Sequence, residues 1–346
     1  MKILIVGYYG SDNIGDEVLL SQVVRIVRSL SRNSEIRAIS YRGEETRRLH
    51  DIETVGRNKY FRIVRAIKAS DIVIGGGGSI LQNVTSQKSL VYYLSVFYLG
   101  ILMKKKVVLL GNGFGPVSGR FSRWLTRRVL KGVSHFVARD SETVERLKAL
   151  GVDCPITLGA DLAYYGYQPK AVVRSRRVLI NIRPWTNSAG LVEAVKGFCS
   201  YLIEQGYELT FLSMQSGKDD VILKEVMKGL KRDIPFVENS LEAFIGGSES
   251  YYALVGMRLH ALIWAGIKDI PFVSIPYDPK INAYTRMSRQ KSAAEVETVT
   301  REDLIGAFET LVEEWELRHS DLIKANQIIA RESDVNREIL EAVIKE

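Results

Sequence analysis

The chain has 346 residues, which is long enough for two ordinary domains or one large α/β domain with a substantial apolar core. Hydrophobic residues make up 46% and charged residues 25%, as in soluble globular proteins, so disorder is excluded as the default interpretation. A formal net charge of +8 favours an anionic partner, which could be nucleic acid, an anionic membrane or a phosphorylated small molecule.

Cysteine usage and apolar runs bear on the compartment. Cys154 and Cys199 have no ligand-like spacing to a histidine, so we expect no disulfide framework, no metal site and a reducing cytoplasmic compartment. The apolar run at the N-terminus is too short for a secretory signal. The run from Ser89 to Met103 falls short of the roughly 18 residues of a transmembrane candidate, so it predicts a buried helix, with a membrane-facing helix as the alternative.

The first half of the chain alternates β-branched runs with helical patterns, which predicts a parallel sheet with crossover helices. The predicted strands are Lys2–Gly7, Glu35–Ser40, Asp71–Gly76, Lys106–Gly113 and His135–Asp140. No period persists from Thr157 to Arg177, where Pro, Gly and basic residues predict a linker.

The alternation then restarts, which predicts a second α/β unit of similar size. Its predicted strands lie in the segments RVLINIRPW, YELTFLSMQ, IPFVEN, YYALVG and PFVSIPY. From about Arg301 onwards the pattern is helical to the end, and by analogy such a segment could brace the first unit.

Candidate ligand sites lie after the strands, because ligands of open parallel sheets bind at the carboxyl ends. After the first strand, Gly7–Leu20 offers Asn13 and Asp16 as binding candidates. The alternative is an ordinary turn in which Asp16 and Glu17 sit at a helix start.

Two glycine-rich segments are predicted to be turns at the same edge. The first, GGGGSILQ, contains Gly76, Gly77, Gly78 and Ser79. Four consecutive glycines are entropically costly, so the backbone must approach something closely, and a phosphate or sugar would suit. No Walker lysine follows, which argues against a P-loop NTPase. The second is GNGFGPVSG, Gly111–Gly119.

Three basic residues complete the set of charged candidates at strand ends. Arg139 ends its strand and could bind an anion or form a surface ion pair, with Asp140 and Ser141 as a helix cap behind it. In GMRLHALIWAG, Arg258, Leu259 and His260 are predicted to form the first turn of a helix, whose free N–H groups attract anions. There a guanidinium suits a carboxylate or phosphate, and an imidazole suits general acid or base catalysis. Lys280 follows the next strand.

The basic stretch from Gly119 to Gly132 carries Trp124 and Leu125 among its arginines. It is either a solvated helix face or a contact with an anionic membrane or a pyrophosphate lipid.

Several of these motifs together resemble the polysaccharide pyruvyl transferases, and among them the CsaB-type enzymes of bacterial cell-wall polymer synthesis. The motifs are GMRLHALIWAG, YDPK, GGGGSILQ with TSQKSLVYYL, GNGFGPV, ARDSETVERLKALGV and INIRPW, and they span nearly the whole chain in the family's order. Asn112 stands where the family commonly has glutamine.

The resemblance implies an α/β, GT-B-like fold of two Rossmann-type domains with parallel sheets facing a central cleft. We expect an acceptor domain at 1–165, a phosphoenolpyruvate domain at 176–316 and a C-terminal helix at 317–346. The reaction implied is enolpyruvyl transfer from phosphoenolpyruvate onto a sugar, typically N-acetylmannosamine of a lipid-linked wall precursor, to give a 4,6-pyruvate ketal and phosphate. His260, Arg258 and Lys280 would be catalytic, with no cofactor and no metal.

Alternatives and partners follow from the same residues. The rival enzyme is a GT-B glycosyltransferase that uses a nucleotide sugar. A nucleic-acid partner is not expected, because the positive charges are scattered and no nucleic-acid motif is present. The expected partners are phosphoenolpyruvate and a lipid-linked saccharide, at the inner face of the cell membrane or in the cytoplasm, and a homo-oligomer stays open.

Overall fold

The chain forms two compact units. The structure is a computed structural model that describes residues 1–84, 86–170, 175–186, 188–230, 232–237, 240–241, 244 and 250–346. The first unit comprises Met1–Gly166 and Ile329–Glu346, and the second comprises Tyr167–Ile328.

The first unit contains a sheet of seven parallel strands. They are β1 (Lys2–Tyr9), β2 (Glu35–Ser40), β3 (Glu53–Gly56), β4 (Ile72–Leu81), β5 (Lys106–Phe114), β6 (His135–Ala138) and β7 (Ile156–Leu158). Their order across the sheet is β3-β2-β1-β4-β5-β6-β7. Chain order therefore reverses between β1 and β4, and the carboxyl ends of these two neighbouring strands are the expected ligand position of a doubly wound sheet.

Helices connect these strands. They are α1 (Ile14–Leu30), α2 (Gly43–His50), α3 (Tyr60–Ala69), α4 (Gln87–Leu102), α5 (Arg120–Leu130) and α6 (Ser141–Leu150), with a short 3-10 helix at Leu162–Tyr164. Apolar residues of β4, β5 and α4 form much of one core, in which Phe97, Val107 and Leu109 are fully buried. The predicted cap of α6 is confirmed, because the Asp140 carboxylate accepts a hydrogen bond from the Thr143 N–H at 2.7 Å.

The first predicted glycine turn was wrong, because Gly75–Leu81 lies inside a strand, and the second begins later than predicted, after Phe114. Gly75–Gly78 belongs to β4, and Gly111–Phe114 belongs to β5. The φ angles of Gly77 (76°) and Gly78 (74°) are positive, and the register with β5 shifts between Gly78 and Leu81. Glycine lets β4 continue as an irregular strand through this left-handed backbone instead of ending it.

The linker prediction was also too long. Thr157 and Leu158 pair with β6 as part of β7, and Leu162–Tyr164 is helical. Strands β3 and β7 have only four and three residues, which is too short for an alternating pattern to stand out in the sequence.

The second unit contains five described parallel strands. They are β8 (Arg177–Asn181), β9 (Glu208–Phe211), β10 (Ala253–Gly256), β11 (Phe272–Ser274) and β12 (Lys291–Ser292), in the order β12-β11-β10-β8-β9. Their helices are α7 (Ser188–Glu204), α8 (Asp219–Leu230), α9 (Leu259–Ile267), α10 (Pro279–Met287) and α11 (Arg301–Glu313). Chain order reverses between β8 and β10, as in flavodoxin-like sheets.

One predicted strand of this unit is represented by a single bridge in the described residues. Within IPFVEN only Phe236 is bridged to the sheet, through Phe211, and residues 238–239 lie outside the described part of the chain. The core of this unit is built on fully buried residues that include Phe198, Phe211 and Val273.

The chain ends in α12 (Trp315–Lys345), which begins in the second unit and ends in the first. Within the first unit, Ser333 donates to the Asp161 carbonyl at 3.0 Å and Asn336 donates to the Ala160 carbonyl at 3.2 Å. Within the second unit, the Trp315 indole donates to the Tyr252 carbonyl at 2.9 Å. In the described part of the chain, no helix combines the length and the apolar character needed to cross a membrane.

Candidate functional site

The reversal point of the second sheet is organised by a buried asparagine. Asn181 ends β8 and lies opposite Gly256, which ends β10. The Asn181 side-chain oxygen accepts the Arg258 N–H at 3.0 Å, and its amide donates to the Leu212 carbonyl at 2.8 Å. Because its polar atoms are used by neighbouring strand ends, Asn181 fixes the point at which the chain leaves β10 and enters α9.

The sequence predicted Arg258 in the first turn of α9, but Arg258 is instead the N-cap residue that precedes the helix. Its φ and ψ of −77° and 132° are extended. Its guanidinium grips Asp219, with Nε 2.7 Å from Oδ2 and Nη2 2.5 Å from Oδ1. A third contact joins Nη2 to the Gln215 side-chain oxygen at 3.2 Å. The plane of the guanidinium is therefore fixed, and its charge is largely balanced by one carboxylate.

Sequence reasoning missed Asp219, the first residue of α8. Its side chain is 0% exposed, and it also accepts the backbone N–H groups of Met214 and Gln215 at 3.1 Å and 3.2 Å. The buried Asp219 carboxylate is tolerated because it contacts the Arg258 guanidinium and accepts these two backbone N–H groups. The adjacent acidic residues Asp219 and Asp220 were a weak sequence signal, since acidic residues are common at helix starts.

His260 and Leu259 occupy the first turn of α9. Leu259 is buried, with 8% exposure, and His260 is partly exposed. This helix start lies at the carboxyl edge of the sheet, where the helix dipole favours negative charge. His260 thus lies in the first turn of the helix, as the sequence predicted.

Lys280 lies one strand further along the same edge. Asp278 caps α10 by accepting the Lys280 N–H at 3.0 Å, and the Lys280 ammonium is 3.5 Å from the other Asp278 oxygen. Both side chains are about one-third exposed, at 34% and 39%, so this ion pair is weak and Lys280 can exchange it for a ligand.

Sequence reasoning also missed Arg183, two residues beyond β8. Its guanidinium carbon lies 5.2 Å from the centroid of the Tyr277 ring and 6.0 Å from that of Trp185, and Nη1 is 3.4 Å from the Tyr277 hydroxyl. Its Nε is buried, and no described residue accepts a hydrogen bond from it. None of the described carboxylates pairs with Arg183. The segment INIRPW carried this arginine, but nothing in the pattern set it apart from other basic residues.

A second buried polar atom lies at the end of the neighbouring strand. Ser213 follows β9, is 8% exposed, and its Oγ has no partner among the described residues. Buried donors without partners are rare and call for an explanation, of which a ligand is one.

The glycines of β4 in the first unit make room for the protein itself. The Tyr9 hydroxyl donates to the Gly76 carbonyl at 2.6 Å, and a Cβ on Gly76 would lie 2.3 Å from that hydroxyl. A Cβ on Gly77 would meet Leu162 at 3.0 Å and Leu19 at 3.1 Å. At these two glycines the close approach predicted from the sequence is therefore an approach of side chains.

Arg139 lies beside Ser79 at the end of β6. Its Nη2 donates to the Ser79 hydroxyl at 3.1 Å, while Nε is 3.3 Å from Asp140 and Nη1 is 3.6 Å from Asp161. Its side chain is only 9% exposed. A buried arginine held by two carboxylates is an ordered part of this edge and not a surface ion pair.

Asn13 and Asp16 lie at the start of α1, at the carboxyl end of β1. Asn13 caps the helix, and its amide donates to the Asp16 carboxylate at 2.5 Å. A Cβ on Gly78 would lie 3.5 Å from an Asp16 oxygen, so Asp16 is next to the glycine run. The structure therefore brings Asn13, Asp16 and the glycines together at the reversal point of the first sheet.

The predicted site residues thus form two groups, one in each unit. Arg258, Leu259, His260 and Lys280 line the carboxyl edge of the second sheet, and the other seven line that of the first. Among the described residues, no three histidine, cysteine, aspartate or glutamate side chains are grouped so that they could hold a metal ion.

Solved structures of low sequence identity share the fold. UDP-GlcNAc 2-epimerase from Neisseria meningitidis, solved with UDP-GlcNAc bound, matches with a TM-score of 0.65 and 11% identity over 100% of both chains. UDP-GlcNAc 2-epimerase from Methanocaldococcus jannaschii has a TM-score of 0.63 and 14% identity, over 89% of this chain and 92% of that one. A glycosyltransferase from Rickettsia africae has a TM-score of 0.63 and 13% identity, over 100% of this chain and 99% of that one. The fold is therefore the α/β, two-sheet GT-B type that was predicted.

The sequence comparisons address the family. A comparison with curated proteins gave no match. The model of the polysaccharide pyruvyl transferase family matches residues 13–279, which is most of the chain. The chain belongs to the polysaccharide pyruvyl transferase family.

Proposed function

We propose that the protein transfers the enolpyruvyl unit of phosphoenolpyruvate onto a saccharide, forms a 4,6-pyruvate ketal and releases phosphate. The observation that carries this proposal is that Arg183, Arg258, His260 and Lys280 follow three adjacent strands, β8, β10 and β11, at the carboxyl edge of the second sheet. Phosphoenolpyruvate bears a carboxylate and a phosphate on three carbons, so it needs several donors close together.

The cationic residues of the proposed phosphoenolpyruvate site have different roles. Arg258 is balanced by Asp219 and offers its fixed guanidinium edge, while Arg183 has no described carboxylate partner and adds net positive charge. Lys280 and the N–H groups that open α9 complete the anion site. With these donors, phosphoenolpyruvate binds without a metal ion.

His260 acts as the general acid. It protonates C3 of phosphoenolpyruvate, C2 gains oxocarbenium character, and the first sugar hydroxyl adds to C2 and returns its proton to the imidazole. The bond from C2 to the phosphate oxygen then breaks. The second hydroxyl attacks C2 and closes the ketal, and its proton leaves with the phosphate.

The acceptor follows from the resemblance to CsaB-type enzymes. We propose N-acetylmannosamine of a lipid-linked cell-wall polymer precursor, held by the first unit in the cytoplasm. Asn13, Asp16, Ser79 and Arg139 supply polar groups at the reversal point of that unit's sheet, where a sugar would find hydrogen-bond partners.

Helix α5 suits a peripheral contact with the membrane that would carry such a lipid. Phe121 and Trp124 are each 59% exposed, and their ring centroids are 6.0 Å apart. The exposed residues around them are Arg120, Arg123, Arg127 and Arg128. Exposed aromatic rings among arginines favour the interface of an anionic bilayer.

The second candidate is a glycosyltransferase that uses a nucleotide sugar, since a glycosyltransferase and nucleotide-sugar epimerases share the fold. The test is phosphate release from phosphoenolpyruvate with synthetic N-acetylmannosaminides, with and without EDTA. Release that requires the sugar and survives EDTA supports pyruvyl transfer. Failure to bind phosphoenolpyruvate, together with binding of a UDP-sugar, would favour the glycosyltransferase.

A further inference from the structure

Three tyrosines of the first unit, Tyr41, Tyr92 and Tyr93, surround Arg57 at the carboxyl edge of the sheet, and Tyr8 packs against Tyr41. We call these four tyrosines and Arg57 the tyrosine cage. Tyr8 belongs to β1, Tyr41 follows β2, Arg57 follows β3, and the other two tyrosines belong to α4. The cage is thus assembled at the ends of three adjacent strands, of which β1 borders the reversal point of the sheet.

Arg57 is held by ring faces and one hydroxyl. Its guanidinium carbon lies 3.9 Å from the ring centroid of Tyr92 and 4.8 Å from those of Tyr41 and Tyr93. Nη1 donates to the Tyr93 hydroxyl at 2.8 Å. The rings fix the guanidinium by cation–π contact and leave most of its N–H donors to other partners.

No described carboxylate forms an ion pair with Arg57, so its charge is not balanced by an acidic neighbour. In contrast, Arg139 in the same unit contacts two carboxylates. A fixed cation of this kind attracts an anion, and its planar fork suits a phosphate in particular.

The rings also leave an aromatic surface open to solvent. Tyr41 is 45% exposed, and its ring meets that of Tyr8 edge to face with centroids 5.3 Å apart. The Tyr92 hydroxyl donates to the Arg57 carbonyl at 3.5 Å, and its oxygen can accept a further hydrogen bond. An exposed ring face packs well against the C–H face of a sugar, and phenols hydrogen-bond to its hydroxyls.

We propose that the tyrosine cage binds a glycosyl phosphate, with the sugar ring against Tyr41 and the phosphate on Arg57. The proposal extends the proposed function, because it takes the acceptor to be a saccharide and assigns to it an anionic group. The cage then selects acceptors by two features at once, the sugar face and the phosphate charge.

Isothermal titration calorimetry with three probes tests this assignment. The probes are N-acetylmannosamine 1-phosphate, N-acetylmannosamine and inorganic phosphate. We expect the glycosyl phosphate to bind at least about tenfold more tightly than either of the others, because one charge-assisted contact adds to the ring contact.

Variants assign each contribution. Arg57→Gln should remove the preference for the phosphorylated sugar, Arg57→Lys should retain part of it, and Tyr41→Ala should weaken both sugars. Arg25→Gln is the matched control, since Arg25 lies 5.4 Å from one ring, that of Tyr165, elsewhere in the unit. Circular dichroism checks that each variant is folded.

Several results would overturn the cage. They are equal binding of the two sugars by the native protein, unchanged affinity in Arg57→Gln and Tyr41→Ala, or no binding of the glycosyl phosphate at all. Phosphoenolpyruvate binding is titrated separately. If the protein binds the glycosyl phosphate through Arg57 but neither binds nor turns over phosphoenolpyruvate, the result would support the binding site at the tyrosine cage and contradict the proposed reaction.

Discussion

Arg258 and Asp219 form a two-point ion pair, with their nearest atoms 2.7 Å and 2.5 Å apart, in which the carboxylate has no exposure to solvent. Asp219→Ala would leave the Arg258 guanidinium and two backbone N–H groups without this partner. We expect the free energy of unfolding to fall by about 3–5 kcal/mol, the usual cost of breaking a buried pair from one side. Urea denaturation measures it.

The same ion pair means that activity alone cannot test the role of Arg258. Arg258→Ala leaves the buried Asp219 carboxylate without its cation and should also destabilise the second unit. A loss of activity would therefore not show that Arg258 contacts the substrate. A double-mutant cycle with Asp219→Asn separates stability from phosphoenolpyruvate affinity. Arg258→Ala with native stability would contradict this account of the pair.

His260→Ala should abolish sugar-dependent phosphate release without loss of fold, because His260 is the proposed proton donor to C3. General acid catalysis contributes about 10²–10⁴-fold to a rate, so we expect a loss in this range. Phosphoenolpyruvate affinity should change little. His135→Gln, in the first unit, is the control, and a near-native rate in His260→Ala would exclude the residue from the chemistry.

Arg183→Ala should raise the KM for phosphoenolpyruvate more than it lowers kcat. The loss of one charge-assisted contact corresponds to about 1.5–3 kcal/mol, or roughly tenfold to a hundredfold in affinity. Arg177→Ala is the matched control. Arg177 is the first residue of β8, the strand that Arg183 follows, and it pairs with Glu208 on the exposed surface. Equal KM values for the two variants would remove Arg183 from the donor site.

Stability should depend on pH through Lys268 in the second unit. Burial, with the nearby Lys170 charge, lowers the pKa of Lys268 from its ordinary value to about 8. Between that value and about 10 the unfolded chain holds a proton that the folded chain has lost, so stability rises with pH there. The slope should stay well below the limit of about 1.4 kcal/mol per pH unit, because water screens the ammonium.

The corresponding measurement is urea denaturation of the native protein and of Lys268→Met across that pH range. We expect the stability difference between them to shrink as pH rises, since the variant lacks the buried charge. A difference that is constant with pH would show that Lys268 keeps its ordinary pKa.

Phe121→Ala with Trp124→Ala should abolish sedimentation with anionic liposomes at low salt, because these rings supply the apolar contact of α5. Val221→Ala, which removes a 59% exposed side chain in the second unit, should have no effect. Native protein that stays in the supernatant would exclude the membrane contact.

Strong local patterns were enough to predict most of the fold. Glu35–Ser40 is a strand with the predicted bounds, and its apolar residues Ile36, Ala38 and Ile39 are buried. The glycines of β4 misled the prediction, since whether glycine ends a strand depends on the neighbouring strand and on Tyr9, which fills the space beside Gly76. The pairing of residues distant in sequence, such as Asp219 with Arg258, could not be predicted, because acidic residues at a helix start do not indicate which cation they contact.

The first unit is built from two segments of the chain that are separated in sequence by the second unit, and the later segment belongs to α12. Residues 329–346 belong to this unit, where Ser333 and Asn336 bind the carbonyls that follow β7. When residues 1–166 leave the ribosome, these carbonyls still lack their partners. The second unit must be synthesised before residues 329–346, at roughly 5–20 residues per second. Residues 1–166 are therefore translated before the second unit, but the first unit can be completed only after it.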